Sequence, residues 1–341
     1  MEKILFIANT ESDGSLSKIA LEVLGSAIEL AGKLEGSTLS VGLFGTSIQE
    51  AANSIADCGA ASFSGVEGED FADSRYCSDI AAVSELIGKS EATLVLAPAN
   101  IRISRVLPGA AVRCNGKIDS RISRLSAEGG KVTAQRWFYR QRMTGSFSRD
   151  TRPWIMSMDA GSSEAVPTSS GTAHVDMLSV ALSDDQKKTK VLGTESPSTN
   201  AQTIKPDANI LFVAGAGWTK KQADGQIHAE EAEKHILGFL EKAKASLGSS
   251  KSLVDQGSEG EAVLGFMSHL NQIGQTGASP RHQKGLATCC HGEEPHVIGW
   301  RFINERRAVN ADANCGWAQG KADVLYVADA FEVMTKVNEL L

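Results

Sequence analysis

The sequence predicts an α/β protein made of two units in tandem. Three observations carry this expectation. Short apolar runs alternate with helix-period segments over the first third, a polar stretch with Pro197 and Pro206 interrupts the chain, and a fresh strand, glycine turn and helix follow it. At 341 residues the chain is long enough for two cores. The expected division is residues 1–185, a linker over 186–206, and a second unit over 207–341.

The elements follow in order. KILFIAN reads as a buried strand, and SLSKIALEVLGSAIELAG as a helix, with Leu16, Ile19, Ala20, Val23, Leu24, Ala27 and Ile28 recurring on one face. LSVGLFG is a second strand, SIQEAANSIADCGA a helix, then a polar stretch, the helix SDIAAVSELIGKS and the strand ATLVLAP. From Val132 the pattern changes to denser strands, VTAQRWFYRQ, RPWIMSM and VDMLSVALS. In RWFYRQR, period two predicts one face on a core and Arg136 with Arg140 on the other, either a solvated face or a contact surface for another protein. Beyond the linker, NILFVAGAG is a strand ending in glycines, and HAEEAEKHILGFLEKAKASLG a strongly amphipathic helix. GLATCCH, RRAVNAD and ADVLYVADAFEVMTKVNELL complete the unit, the last as strand then helix.

Composition narrows the function. A hydrophobic fraction of 42% and a charged fraction of 22% are those of a soluble protein. The net charge of −7 argues against a nucleic-acid surface. No apolar run approaches the roughly 18 residues of a membrane helix, so no membrane insertion is expected. MEKILFIAN lacks the basic and apolar regions of a signal peptide, which predicts a cytoplasmic protein. The six cysteines contain no CxxC spacing, which fits reduced thiols rather than a disulfide framework or an iron–sulfur insert.

Several residues could carry chemistry. Gly215 and Gly217 end a strand, where glycines let backbone approach a phosphate and feed a helix whose first amides attract anions. The third glycine of the dinucleotide fingerprint is missing, and a strand-ending G-x-G is more often a plain tight turn. His282, Cys289, Cys290, His291 and His296 invite a zinc reading, but adjacent cysteines in a strand point to opposite faces, and core packing is preferred. NQIGQTGASP, almost free of charge and of large apolar side chains, is either a turn or a place of close backbone approach to a ligand.

Six short motifs in order then resemble the electron transfer flavoprotein alpha-subunit (FixB-like) family. They are GAG at 215–217, SKSLVDQG at 250–257, IGQTG at 273–277, HGEEPH at 291–296, AVNAD at 308–312 and ADAFEV at 328–333. The first unit is similar as well, through ILFIANTESDGSLSKIALEVLGSAIELAG, LVLAPA and RPWIMSMDAGSSEAVP. The resemblance implies two tandem Rossmann-like units, the C-terminal one a doubly wound parallel sheet that binds FAD. Ile273, Gly274, Gln275, Thr276 and Gly277 would line the flavin ring, with Thr276 and the Gln275–Thr276 backbone bonding its N5 and C4-carbonyl edge. Ser250 and the segment His291, Gly292, Glu293, Glu294, Pro295 and His296 would hold the pyrophosphate and the pyrimidine, His296 near the C2 carbonyl. Asn310, Asp329 and Ala330 would sit by the adenosine half. A cation at Lys251 beside the ring would favour the reduced, negatively charged flavin.

The implied function is the alpha half of a heterodimer with an electron transfer flavoprotein beta subunit. It would carry electrons through FAD from a flavin-dependent dehydrogenase to an acceptor oxidoreductase, with no catalytic acid, nucleophile or metal ligand of its own. Ala216 stands where the family has a turn arginine, Lys251 where it has a ring-side arginine, and Glu293 and Glu294 lie at a phosphate-binding segment. These departures support the alternative of an FAD-less structural or regulatory paralogue. A metal or cysteine enzyme built on Cys289 and Cys290 is the third reading.

Overall fold

A computed structural model describes residues 1–139, 141, 143–193, 204–206, 208–255, 263–274, 279–290, 302–315, 318–319 and 322–341. The chain divides into two units, the first of residues 1–139 and 143–194, the second of 140–142 and 195–341.

In the first unit β1 (Lys3–Asn9), α1 (Lys18–Lys33), β2 (Thr38–Gly45), α2 (Gln49–Ser54) and β3 (Ser62–Glu67) are followed by α3 (Tyr76–Ser90), β4 (Leu94–Pro98) and α4 (Ile101–Arg113). Then come β5 (Lys117–Glu128), β6 (Lys131–Phe138), β7 (Met143–Phe147), β8 (Trp154–Met158), β9 (Val175–Met177) and the single turn α5 (Asp184–Lys187). The strands form one sheet in the order β7-β6-β5-β8-β4-β1-β2-β3-β9, parallel except where β6 pairs with β5 and β7. Strands covered on both faces read as continuous apolar runs, which is why KILFIAN was legible. Its Ile4, Phe6 and Ala8 enter the core under α1, and its Leu5 and Ile7 the core under α3 and α4.

Three elements here differ from the sequence expectation. The polar stretch before the third helix holds β3, whose apolar side chains are limited to Phe63 and Val66. Pro108 lies inside α4, a helix that Asn100 starts by accepting the Ile103 N–H at 2.8 Å. Arg136 follows Val132 and Ala134 on the core-facing side of β6, where its guanidinium sits 4.5 Å from the Phe138 ring. Its expected partner Arg140 lies outside the described residues.

Helices α3 and α4 are joined by a buried ion pair. The Arg102 guanidinium donates to both Asp79 oxygens at 2.7 and 2.8 Å, to the Phe71 and Ala72 carbonyls, and lies 5.1 Å from the Phe44 ring.

The second unit contains β10 (Ile210–Ala214), α6 (Ala229–Ala243), β11 (Ser246–Ser249), α7 (Lys251–Asp255), β12 (His282–Thr288), β13 (Ile303–Asn310), β14 (Val324–Val327) and α8 (Ala330–Leu340). The amphipathic helix expected through Gly248 ends at Ala243; Lys244 turns the chain at φ 48° and the next residues enter β11. All five strands are parallel, in the order β11-β10-β12-β13-β14. Taking β10 as first, that is the 2-1-3-4-5 order of a doubly wound sheet. The two units are thus tandem Rossmann-like α/β folds. Among the described residues no helix is long and apolar enough to cross a membrane.

Removing Asp79 strands the Arg102 charge, whose side chain is 12% exposed. Asp79→Ala is expected to cost about 3–5 kcal/mol in chemical denaturation. The Asp79→Leu, Arg102→Met double variant should recover most of that loss.

Candidate functional site

A parallel sheet delivers every strand end to one edge, and a doubly wound sheet opens a crevice there where strand order reverses. In the second unit the reversal lies at β10, between β11 and β12. Strand β10 runs into Gly215, β11 into Ser250 and Lys251, β12 into Cys289 and Cys290, β13 ends at Asn310, and β14 leads to Asp329 and Ala330. Ile273 joins the same edge, because its N–H donates to the Ser249 carbonyl at 3.1 Å beside a parallel bridge between Ser249 and Gln272.

The glycine turn after β10 is spent on internal contacts. The Gly215 N–H donates to the Thr288 carbonyl at 2.9 Å and the Gly217 N–H to that of Cys289 at 3.0 Å. A Cβ on Gly215 would lie 2.3 Å from the Cys289 oxygen, so only glycine fits. The next residue but two, Trp218, is fully buried, donates Nε1–H to Thr288 Oγ1 at 2.8 Å and packs edge-on against Phe331. No long helix starts here; residues 216–219 form one 3-10 turn, and α6 begins at Ala229. Of the two readings of these glycines the structure shows the tight turn, which locks β10 onto the exit of β12.

At the end of β11, Ser250 donates its N–H to the Ala214 carbonyl at 2.9 Å, and its Oγ accepts the Leu253 N–H at 3.2 Å, capping α7. Lys251 is ion-paired with Asp255 at 2.7 Å, and His269 lies 3.5 Å from the other oxygen of that carboxylate. Lys251, expected from the sequence as a ring-side cation, thus comes with a counter-charge one helical turn away. Gly274 adopts φ 75°, the left-handed region that favours glycine, and its N–H donates to Ser279 Oγ at 2.7 Å. That bond joins the two ends of the expected flavin loop. Its interior, Gln275, Thr276 and Gly277, lies outside the described residues.

Cys289 and Cys290 point to opposite sides of the sheet, as the alternation predicts: Cys289 joins the core of Phe212, Trp218 and Met334, Cys290 the core of Leu211, Ile273 and Phe302. Burial pushes the Cys289 thiol well up from its ordinary value, and the Asp329 carboxylate adds to that. His282 sits at the opposite end of β12, its ring nitrogens on the Pro280 and Lys205 carbonyls at 3.1 and 2.8 Å, so it does not join the cysteines. Among the described residues no group of three His, Cys, Asp or Glu side chains is arranged to hold a metal. Asn310 donates from Nδ2 to the Cys290 carbonyl at 2.7 Å and accepts the Asp312 N–H, fixing the exit of β12 to that of β13. Asp329 caps α8 by accepting the Phe331 and Glu332 N–H groups, and Ala330 is buried beneath it. The segment His291, Gly292, Glu293, Glu294, Pro295 and His296 lies outside the described residues.

Residues 4–183 match the family model for the electron transfer flavoprotein domain. The chain belongs to the electron transfer flavoprotein family. Its similarity continues through the second unit. Protein FixB of Clostridium saccharobutylicum is 23% identical over 332 residues, covering 96% of this chain and 91% of the relative. The electron transfer flavoprotein subunit alpha of Syntrophomonas wolfei subsp. wolfei is 23% identical over 331 residues, covering 97% and 96% respectively. This electron transfer flavoprotein is accordingly alpha-subunit-like or FixB-like.

The carboxyl edge fits a polar ligand in one specific respect. Ser249, the last residue of β11, is 1% exposed, and its Oγ has no hydrogen-bond partner among the described residues. A buried hydroxyl left so costs about 1–3 kcal/mol. The sequence reading chose Ser250 from the same Ser-Ser pair and missed Ser249, as it missed Ser279. The available signal was strand alternation, which places neighbouring serines in different surroundings.

The Cys289 geometry has a direct chemical readout, because the thiolate is the reactive form. At pH 8 iodoacetamide should leave Cys289 unmodified in the native chain over a period that fully labels the unfolded chain. Peptide mass mapping checks this, and native labelling at the unfolded rate would contradict the buried placement.

Proposed function

We propose that this chain is the alpha subunit of a heterodimeric electron transfer flavoprotein and holds one FAD at the carboxyl edge of its second sheet. It would take electrons from a flavin-dependent dehydrogenase in the cytoplasm and deliver them to an acceptor oxidoreductase. The observation that carries this reading is the arrival of Ser250, Lys251, Ile273, Gly274, Asn310, Asp329 and Ala330 at one edge of a 2-1-3-4-5 parallel sheet. Bound FAD supplies the redox chemistry, accepting electrons and passing them on. The chain's own residues position it and set the charge around it.

In this reading Ile273 to Gly277 border the ring, and the Gly274–Ser279 bond fixes where that loop begins and ends. Cys290, which precedes the expected pyrophosphate segment 291–296 in the sequence, has its carbonyl held by Asn310. Asp329 already places a carboxylate on the first amides of α8, so it suits a ribose hydroxyl rather than a phosphate. Lys251 contributes positive charge, reduced by Asp255. The first unit offers the surface for the beta subunit. A second reading, the FAD-less paralogue, draws on the spent amides of the Gly215–Gly217 turn and on the Lys251–Asp255 pair.

Titrating FAD into the chain purified with its beta partner separates the two. About one FAD per pair supports the carrier, and a pair that stays colourless with added FAD supports the paralogue. If the carrier reading holds, Lys251→Ala should lower the flavin reduction potential by roughly 1 kcal/mol, about 40 mV for one electron, while Lys251→Arg preserves or raises it. An anaerobic reductive titration with a reference dye measures the shift. An unchanged potential in both variants would take Lys251 out of the site.

A further inference from the structure

We infer that the Ser249 hydroxyl is a further ligand-binding group, which donates a hydrogen bond to a phosphate oxygen of the bound dinucleotide. This inference rests on the FAD reading above.

Strand β11 carries three serines or serine neighbours whose hydroxyls can be compared. Ser246 Oγ accepts the Lys205 N–H at 2.6 Å, and Ser250 Oγ accepts the Leu253 N–H at 3.2 Å. The fold thus satisfies both hydroxyls that flank Ser249, while that of Ser249 has no partner among the described residues. The Ser249 backbone is paired on both sides: the residue is in register with Ala214 of β10 and bridged to Gln272, and its carbonyl accepts the Ile273 N–H. Its side chain lies on the same face as Leu247, where alanine would fill the space and bring no unsatisfied atom. A polar atom kept buried at such a cost is explained when a partner arrives from outside the chain.

The place of the residue says which partner. Ser249 ends its strand at the carboxyl edge, between the β10 terminus and the Gln272–Gly274 segment, immediately before Ser250 and Lys251. The next cation along the chain is Lys251, so an anionic oxygen is the acceptor this neighbourhood favours. Of a dinucleotide's groups, its phosphates carry that chemistry. Ser250, whose hydroxyl caps α7, then contributes by shaping the turn, and Ser249 supplies the free donor.

A stability–affinity crossing tests the inference. Wild type, Ser249→Ala and Ser246→Ala are each purified as the full chain with the beta partner and stripped of flavin. The melting temperature is then measured without ligand, and FAD affinity by flavin fluorescence. Ser249→Ala should melt no lower than wild type and bind FAD about tenfold more weakly, about 1.4 kcal/mol. Ser246→Ala, which loses a satisfied bond, should melt lower and bind FAD normally. An unchanged FAD affinity in Ser249→Ala overturns the inference, and so does a lowered melting temperature, which would reveal a structural partner. Failure of the wild-type complex to bind FAD sinks the FAD reading itself, and this inference with it.

Discussion

The parallel register of the second sheet is the constraint on which the rest of that unit depends. Because β11, β10, β12, β13 and β14 all run the same way, every exit from the sheet falls at one edge, whatever the sequence of the connecting segments. The chain then ties those exits to each other rather than leaving them as separate loops. Gly217 donates to Cys289, Asn310 to Cys290, Ser250 to Ala214 and Ile273 to Ser249. Each bond fixes the starting point of a segment that would meet a ligand, and each uses backbone groups that would otherwise need water.

Much of this architecture was legible in the amino acids, for a physical reason. A strand buried on both faces must be apolar throughout, so KILFIAN and ILFVA announced themselves. Strand β11 did not, because SLGS has one apolar residue and owes its strand conformation to pairing with β10. Helix α4 was masked by Pro108, and the start of β13 by its exposed Asn304 and Glu305. Local pattern carries burial well; it carries pairing between distant segments poorly.

The candidate site divides along the same line. The glycine at 274 could be expected, since a left-handed backbone there asks for one. The fate of the Gly215 and Gly217 amides could not, because their acceptors belong to a strand far along the chain. The counter-charge at Asp255 was visible one helical turn from Lys251 only once residues 251–255 proved helical. That the Ser249 hydroxyl finds no partner among the described residues is a property of three dimensions alone.

The two adjacent cysteines carry a consequence for durability. Proteins that handle electrons in air meet peroxide, and peroxide attacks thiolates in preference to thiols. By splitting Cys289 and Cys290 onto opposite faces of the sheet, the fold gives each its own apolar surroundings and keeps the two sulfurs from meeting. Burial also holds the Cys58 and Cys114 thiols above their ordinary range. At these four positions sulfur therefore serves as packing material, and oxidative wear there should be slow.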